Sequence, residues 1–380
     1  MNHDYNKEAL LLHKEFQGKI ETGLKVPLAN REDLSRAYTP GVAEVCREIA
    51  RDPSLAYEYT LKRNTVAIVT DGSAILGLGN LGPKAAIPVM EGKAAILKSF
   101  AGVDAFPICL DTQDTEEIIK AVKQLSPVFG AINLEDIAAP RCFEIEERLR
   151  AELDIPVMHD DQWGAGTVSL TAVINSINLR GITKDEVKVV INGIGAAGVA
   201  TARLLLAYGI KNILFCDTKG MIHKGRIELT KEKKELLAAS SLGGHEGTLE
   251  DALMGAHVFI GLSKPNVLTK EMIKKMAERP IIFALANPTP EIMPEDAHTA
   301  GAFIVATGRS DYPNQINNSL VFPGLFRGAL DAQIKQFDIM LFVKIAIALA
   351  EYVKEPKVDE ILPSMFDKGV VDVVKNCVMR

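Results

Sequence analysis

Residues 131–167 read AINLEDIAAPRCFEIEERLRAELDIPVMHDDQWGAGT, and the organisation of the chain follows from them. The first apolar run ends in Glu135 and Asp136, and the last ends in Asp160 and Asp161. Between them Pro140 stands where a first-turn proline is tolerated, and a charged amphipathic stretch follows to about Leu153. The pattern is strand, helix, strand. Its crossover is long enough to join parallel strands, which need a dozen or more connecting residues. If the two strands are neighbours, both acidic pairs leave the same carboxyl edge, where open α/β sheets bind ligands.

Two carboxylates about 4 Å apart repel by roughly 4 kcal/mol at an effective dielectric of about 20. Several on one edge must spread into water, take up protons or share a cation. All-oxygen ligation suits Mg²⁺ or Mn²⁺, and no Cys or His spacing suggests zinc. A competing reading, solvated loop acids and strand-end caps, uses the same residues and stays open at this point.

With 380 residues the chain is long enough for two domains, each with its own core. Hydrophobic residues make up 47% and charged residues 24%, as in an ordinary soluble protein. A net charge of −6 argues against nucleic-acid binding. The five cysteines are scattered without a C-x-x-C, which disfavours a disulfide framework or a thiolate metal site. The first residues are polar and lack a signal-peptide apolar core. Ile339 to Ala350 is apolar but short and contains Lys344, so it reads as a buried helix, not a membrane span. The expectation is a cytoplasmic protein with no membrane partner.

Upstream of the acidic stretch, residues 5–21 have helical spacing, and Thr39-Pro40-Gly41 forms a turn beside Tyr38. That corner can aim the phenol, although most tyrosines simply pack. Asn64 to Thr70 is a strand ending in Asp71-Gly72-Ser73, and AILGLGNLGP (74–83) is a glycine-rich close-approach loop. Lys93 precedes the helical run AAILKSF and reads by default as a surface lysine. Asp104 to Leu110 is a strand and Thr115 to Leu125 a helix whose first-turn acids suit its dipole.

Downstream, an apolar helix from Thr167 to Leu179 marks the domain boundary. A buried strand, Val187 to Ile191, runs into Gly193-Ile194-Gly195-Ala196-Ala197-Gly198 and a helix to Tyr208. The next strand stops at Asp217, 24 residues after the first glycine. In that context G-x-G-x-x-G is a strong dinucleotide signal of the Rossmann type. Its glycines allow a tight turn and close pyrophosphate approach at a helix N-terminus. Asp217 would accept from ribose hydroxyls and repel a 2′-phosphate, favouring NAD over NADP, with Lys219 and Lys224 near enough to offset the repulsion. Ser263 and Asn287 also fall at strand carboxyl ends facing the cofactor cleft, and Asn317-Asn318 can hold a carboxylate or hydroxyl by amide donors.

Taken together, AYTPGVA (37–43), TDGSAILGLGNLGPKAAIPVMEGK (70–93), INLEDI (132–137), HDDQWGAGT (159–167), NGIGAAG (192–198), ALANPTPE (284–291) and NNSLVFPG (317–324) resemble malic enzyme. The resemblance covers nearly the whole chain, and the length is similar to the short bacterial branch. It implies oxidative decarboxylation of (S)-malate to pyruvate and CO₂, reduction of NAD(P)⁺ and a requirement for Mg²⁺ or Mn²⁺. On this sequence it matches Glu135, Asp136 and Asp161 to metal ligands, Lys93 to the general base and Tyr38 to the general acid. Asp160 falls beside the metal within reach of the lysine, and Asn287 and Asn318 match substrate-side amides. Gly193, Gly195, Ala196, Ala197, Gly198, Asp217, Ser263 and Asn287 fall to the cofactor.

The expected fold is α/β: an N-terminal malate- and metal-binding domain (1–161), a Rossmann-type doubly wound NAD(P)-binding domain (162–310) and a C-terminal helical segment (311–380) packing back on the first. One departure stands out. Larger malic enzymes carry a substrate-binding arginine where this chain has Ala74, leaving Ser73, Asn318 and Arg309 as candidates for that work. The resemblance also implies a homodimer in which one subunit can complete its neighbour's site. A metal-dependent oxaloacetate decarboxylase with little redox activity is the nearest rival, and a non-catalytic nicotinamide sensor the rival from another class.

Overall fold

The computed structural model describes residues 4–379. Two sheets organise it. In the first, β1 (Thr65–Thr70), β2 (Asp104–Cys109), β3 (Ala131–Leu134) and β4 (Val157–His159) are all parallel, in the order β2-β1-β3-β4. Every residue of β1, β3 and β4 is buried, so these segments read as continuous apolar runs and not as alternation. The chain goes from β1 outward to β2, then returns to the other side of β1 for β3. The loops after β1 and β3 therefore flank a switch point, where such sheets open a crevice.

Register settles where the acids go. Leu134 pairs with His159, so Glu135-Asp136 and Asp160-Asp161 leave adjacent strands side by side. The crossover helix spans Arg141–Glu152, close to its expected limits. The helix carrying Asp160 and Asp161 starts directly after β4 and runs to Arg180, earlier than the sequence-based start at Thr167. Most of its residues are buried on all sides, which erases the amphipathic signal that would mark its first turn.

The second sheet holds β5 (Val189–Asn192), β6 (Ile213–Asp217), β7 (Gly220–Met221), β8 (Val258–Gly261), β9 (Ile281–Ala284) and β10 (Ile304–Thr307). Its order is β10-β9-β8-β5-β6-β7, parallel except for β7 against β6. The order reverses between β5 and β8, which is where the glycine turn and Ser263 emerge.

Lys93 is not on the surface. A single helix, Pro83–Ala101, contains it and continues through Pro88 and Gly92, two residues that made the sequence look non-helical before Ala94. Ala86, Met90, Lys93, Ala94 and Leu97 share its buried face. The C-terminal helices Phe322–Ala332, Ile339–Tyr352 and Val370–Met379 contribute Phe322, Phe326, Phe342 and Val374 to an apolar core that also takes in Val66, Ile68 and Val189. By contrast, the helices Tyr5–Phe16, Arg31–Ala37 and Val42–Arg51 bury no residue. Among the described residues, no helix is long and apolar enough to cross a membrane.

Candidate active site

Lys93, Glu135, Asp136 and Asp160 are all buried, an unusual concentration of charge. Glu135, Asp136 and Asp161 place one carboxylate oxygen each within 4.8 Å of the others. Asp136 reaches that position through a left-handed backbone (φ 53°), which aspartate tolerates better than most residues. Its N–H donates to Asp161 Oδ2 at 2.8 Å, tying the ends of the two strands together. Asn133 Nδ2 donates to Glu135 Oε2 at 2.9 Å and fixes that carboxylate.

The Lys93 ammonium lies among these acids. Nζ stands 3.1 Å from Glu135 Oε1, donates to Asp160 Oδ2, and sits 4.4 Å above the Phe322 ring. Burial pushes this ammonium down, but the charges of Asp160, Glu135 and Asp161 outweigh it and hold the group above its ordinary value. In the chain by itself Lys93 is the cation. Burial pushes Glu135 up to about 7 and Asp160 up to about 7. Asp136 rises to about 8 through burial and its acidic neighbours, and Asp161 to about 6 through burial. His159 is buried with neither ring nitrogen hydrogen-bonded among the described residues, and burial drives it down to about 4, so it is neutral.

Two expected substrate contacts come out differently. The Ser73 hydroxyl donates to Asp71 Oδ1 at 2.5 Å and accepts from Ala138 N–H and Arg141 Nη2. It braces the loop after β1 against the loop after β3 and has no donor left for a substrate carboxylate. Arg309 is paired with Asp311. Asn318 lies near Asp160 across Gly164: a Cβ on Gly164 would lie 1.9 Å from Asp160 Oδ1 and 3.0 Å from Asn318 Cβ. Asn287 faces the glycine-rich loop, because a Cβ on Gly77 would meet its carbonyl oxygen at 2.3 Å. Gly77 also has φ 74°, so no other residue serves well there.

Tyr38 is not buried with these residues. It is 65% exposed, and no described residue hydrogen-bonds its phenol.

At the second sheet Gly193 (φ 107°) passes so close to β8 that a Cβ would lie 2.2 Å from the Leu262 carbonyl oxygen. The helix Ala196–Tyr208 opens directly after Gly195, leaving the amides of Ala196, Ala197 and Gly198 at a helix N-terminus. Ser263 Oγ accepts from Asn192 Nδ2 at 2.8 Å. Glu291, absent from the sequence-based site, accepts from the N–H groups of Ser263 and Ala286 and so ties the ends of β8 and β9. Asp217 accepts both Arg226 nitrogens at 2.9 Å, and Lys233 Nζ also at 2.9 Å. Burial raises this acid, but Arg226 and Lys233 hold it at about 2. These two cations replace the expected pair: Lys219 is bound to Glu228 and offers Asp217 only its backbone N–H.

A dinucleotide turn at the edge of one sheet and a buried acidic centre with one lysine at the edge of the other mark a nicotinamide-dependent oxidoreductase. The comparisons narrow that class. Residues 17–150 match the malic enzyme N-terminal domain, and residues 163–378 match the malic enzyme NAD-binding domain. The bifunctional malic/malolactic enzyme of Bacillus subtilis is 52% identical over 98% of this chain and 92% of its own. The NAD-dependent malic enzyme of Geobacillus stearothermophilus is 54% identical over 96% of this chain and 76% of its own. The crystal structure of the NAD-dependent malic enzyme of Thermotoga maritima, 50% identical, superposes with a TM-score of 0.94 over 98% of both chains. The chain belongs to the malic enzyme family.

Proposed function

We propose that this chain oxidatively decarboxylates (S)-malate to pyruvate and CO₂ with NAD(P)⁺ and a divalent ion, and also decarboxylates oxaloacetate. The observation that carries the reading is the buried Lys93 among Glu135, Asp136, Asp160 and Asp161, in a chain whose second sheet begins with a strand running into a dinucleotide turn. The donor set suits Mg²⁺ or Mn²⁺: three convergent carboxylates, and an Asp136 Oδ2 that is buried with no hydrogen-bond partner among the described residues. When bound, such an ion acidifies the C2 hydroxyl and supplies the electron sink for loss of CO₂. Asp160 orients Lys93 so that Nζ takes the C2 hydroxyl proton as hydride passes to the nicotinamide. Asn287 and Asn318 hold the substrate by their amides. Tyr38 then delivers a proton to C3 of enolpyruvate.

One assay tests the whole: malate, NAD⁺ and Mn²⁺, following NADH and pyruvate together. Equal amounts of both are expected. Pyruvate formed only from oxaloacetate would give the activity to the simple decarboxylase instead.

Protons compete for the proposed ion site. These carboxylates bind protons more tightly in the folded chain than in the unfolded one, where their values lie near about 4. Without the ion, the stability they contribute is present at low pH and is lost as pH rises through their folded values of about 6 to 8. An ion taking the protons' place restores it. The rise in Tm on adding Mn²⁺ should therefore be larger at about pH 8 than at about pH 6. Equal shifts would show that the acids do not bind the metal.

For the cofactor, NAD is favoured because Asp217 is ionised at the ribose end of β6. Relatives named NADP-dependent also match the chain. Asp217→Ser would free Arg226 and Lys233 for a 2′-phosphate. Charge-assisted bonds of about 1.5–3 kcal/mol correspond to a shift of roughly 10–100-fold toward NADP⁺ in the ratio of kcat/KM values. An unchanged ratio would take this role from Asp217.

A further inference from the structure

A cavity of about 390 Å³ lies not in front of the acidic centre but beside the helix that carries it. Glu146, Arg150, Trp163, Arg203 and Lys231 are among its lining residues. Glu146, on the crossover helix Arg141–Glu152, is 4% exposed and has Cys142, Ile145 and Leu149 as buried neighbours on the same helix. A carboxylate taken out of water at this position costs several kcal/mol unless its oxygens are well satisfied. They are. Oε1 accepts from the His159 N–H at 3.0 Å and from Trp163 Nε1 at 2.9 Å, and Oε2 accepts from Gln162 Nε2 at 3.0 Å and Trp163 Nε1 at 3.1 Å.

All three donor residues fall within 159–163, bracketing Asp160 and Asp161. The helix Asp160–Arg180 has His159 at its N-cap position, and the His159 side chain makes no capping bond. Glu146, on another helix, therefore takes the N-cap N–H and stands at the N-terminal end of the helix dipole, where a negative charge is favoured. Burial pushes Glu146 up to about 7, while the bonds from His159 and Trp163 and the nearby Arg150 and Arg203 favour its ionised form, with no direct ion pair to it among the described residues. Arg203, on the helix after the dinucleotide turn, lines the same cavity.

We propose that Glu146 is a positioning residue for the metal-side acids: from the crossover helix it locks the helical turn that presents Asp160 to Lys93 and Asp161 to the divalent ion. The inference rests on the assignment of Glu135, Asp136 and Asp161 as the ion's ligands. Displacement of that turn by a fraction of an ångström would open the ligand set while leaving the glycine turn at Gly193 in place.

Glu146→Gln tests it, because the amide keeps the side chain's size but replaces one acceptor oxygen with a donor facing other donors. Mn²⁺ dissociation constants are read by the paramagnetic resonance of free Mn²⁺, NADH binding by its own fluorescence. Trp163 is the chain's single tryptophan, so protein emission at the same time reports the bond to Glu146. The variant should bind Mn²⁺ about 10–100-fold more weakly, the usual cost of losing a group that orients a ligand. Its NADH affinity should match wild type, and its tryptophan emission should be shifted. A residue that only stabilised the fold would lower Tm and leave Mn²⁺ affinity well below Tm unchanged, and that result overturns the proposal. If Glu146→Gln does not fold, Trp163→Phe and Gln162→Ala each remove one donor, and unchanged Mn²⁺ binding in both is equally decisive against it. Failure of the wild-type chain to bind Mn²⁺ would instead overturn the ligand assignment.

Discussion

Lys93→Ala is expected to lower kcat for malate oxidation by about 10²–10⁴-fold, the scale set by losing a positioned acid–base group. Lys93 is 9% exposed and is held by Asp160 and Glu135, a geometry that fixes Nζ within the acidic centre. In the cation-free chain those acids keep the ammonium protonated. A divalent ion held by Glu135, Asp136 and Asp161 would cancel the support that Glu135 and Asp161 give, leaving the burial penalty opposed by Asp160 and moving Lys93 toward a usable base. The substitution removes the base and also the cation that competes with the metal. Mn²⁺ binding should therefore survive in Lys93→Ala, or tighten, while turnover collapses. Near-normal kcat would remove Lys93 from the proton transfer, and lost Mn²⁺ binding would mean that its role was structural.

Tyr38→Phe should cost a similar factor of about 10²–10⁴ in kcat, with a larger loss in enolpyruvate protonation than in malate binding. The structure adds a condition to this expectation. Tyr38 lies on an arm whose three helices bury no residue, and it exposes Leu10, Leu24, Leu28 and Tyr38 itself to solvent. An arm of this kind gains a core only by packing on something further. A second copy of the chain is the proposed partner, with each arm carrying its tyrosine to the neighbouring Lys93. Mixing Lys93→Ala with Tyr38→Phe under conditions of subunit exchange should then recover activity that neither has alone, because some mixed dimers contain one intact site. No recovery, together with a wild-type chain active as a monomer at all dilutions, would contradict the shared site.

The parts of the site legible in the sequence were those written in local pattern. The apolar runs before Glu135 and Asp160 gave two strands, and the length of their crossover gave a parallel pair whose register the structure shows directly. The glycine spacing after β5 gave the dinucleotide turn for the same reason: close approach and helix start are encoded within six residues. What escaped was set by distant partners. Lys93 looked exposed because Pro88 and Gly92 obscured the helix that buries it. The first turn at Asp160 carried no amphipathic signal because its helix is enclosed on most sides. Arg226 and Lys233 reach Asp217 from 9 and 16 residues downstream, at offsets that no motif marks. Glu146 looked like one more charge on an amphipathic crossover, and only the fold shows it turned inward to His159.

All of the chemistry proposed here depends on one divalent ion seated between the tips of β3 and β4. Crystals soaked in Mn²⁺ and measured at its absorption edge would locate it by anomalous scattering. The expected map has one strong peak bounded by Glu135, Asp136 and Asp161, with Lys93 beside it. A peak elsewhere, or none among those three carboxylates, would contradict the account.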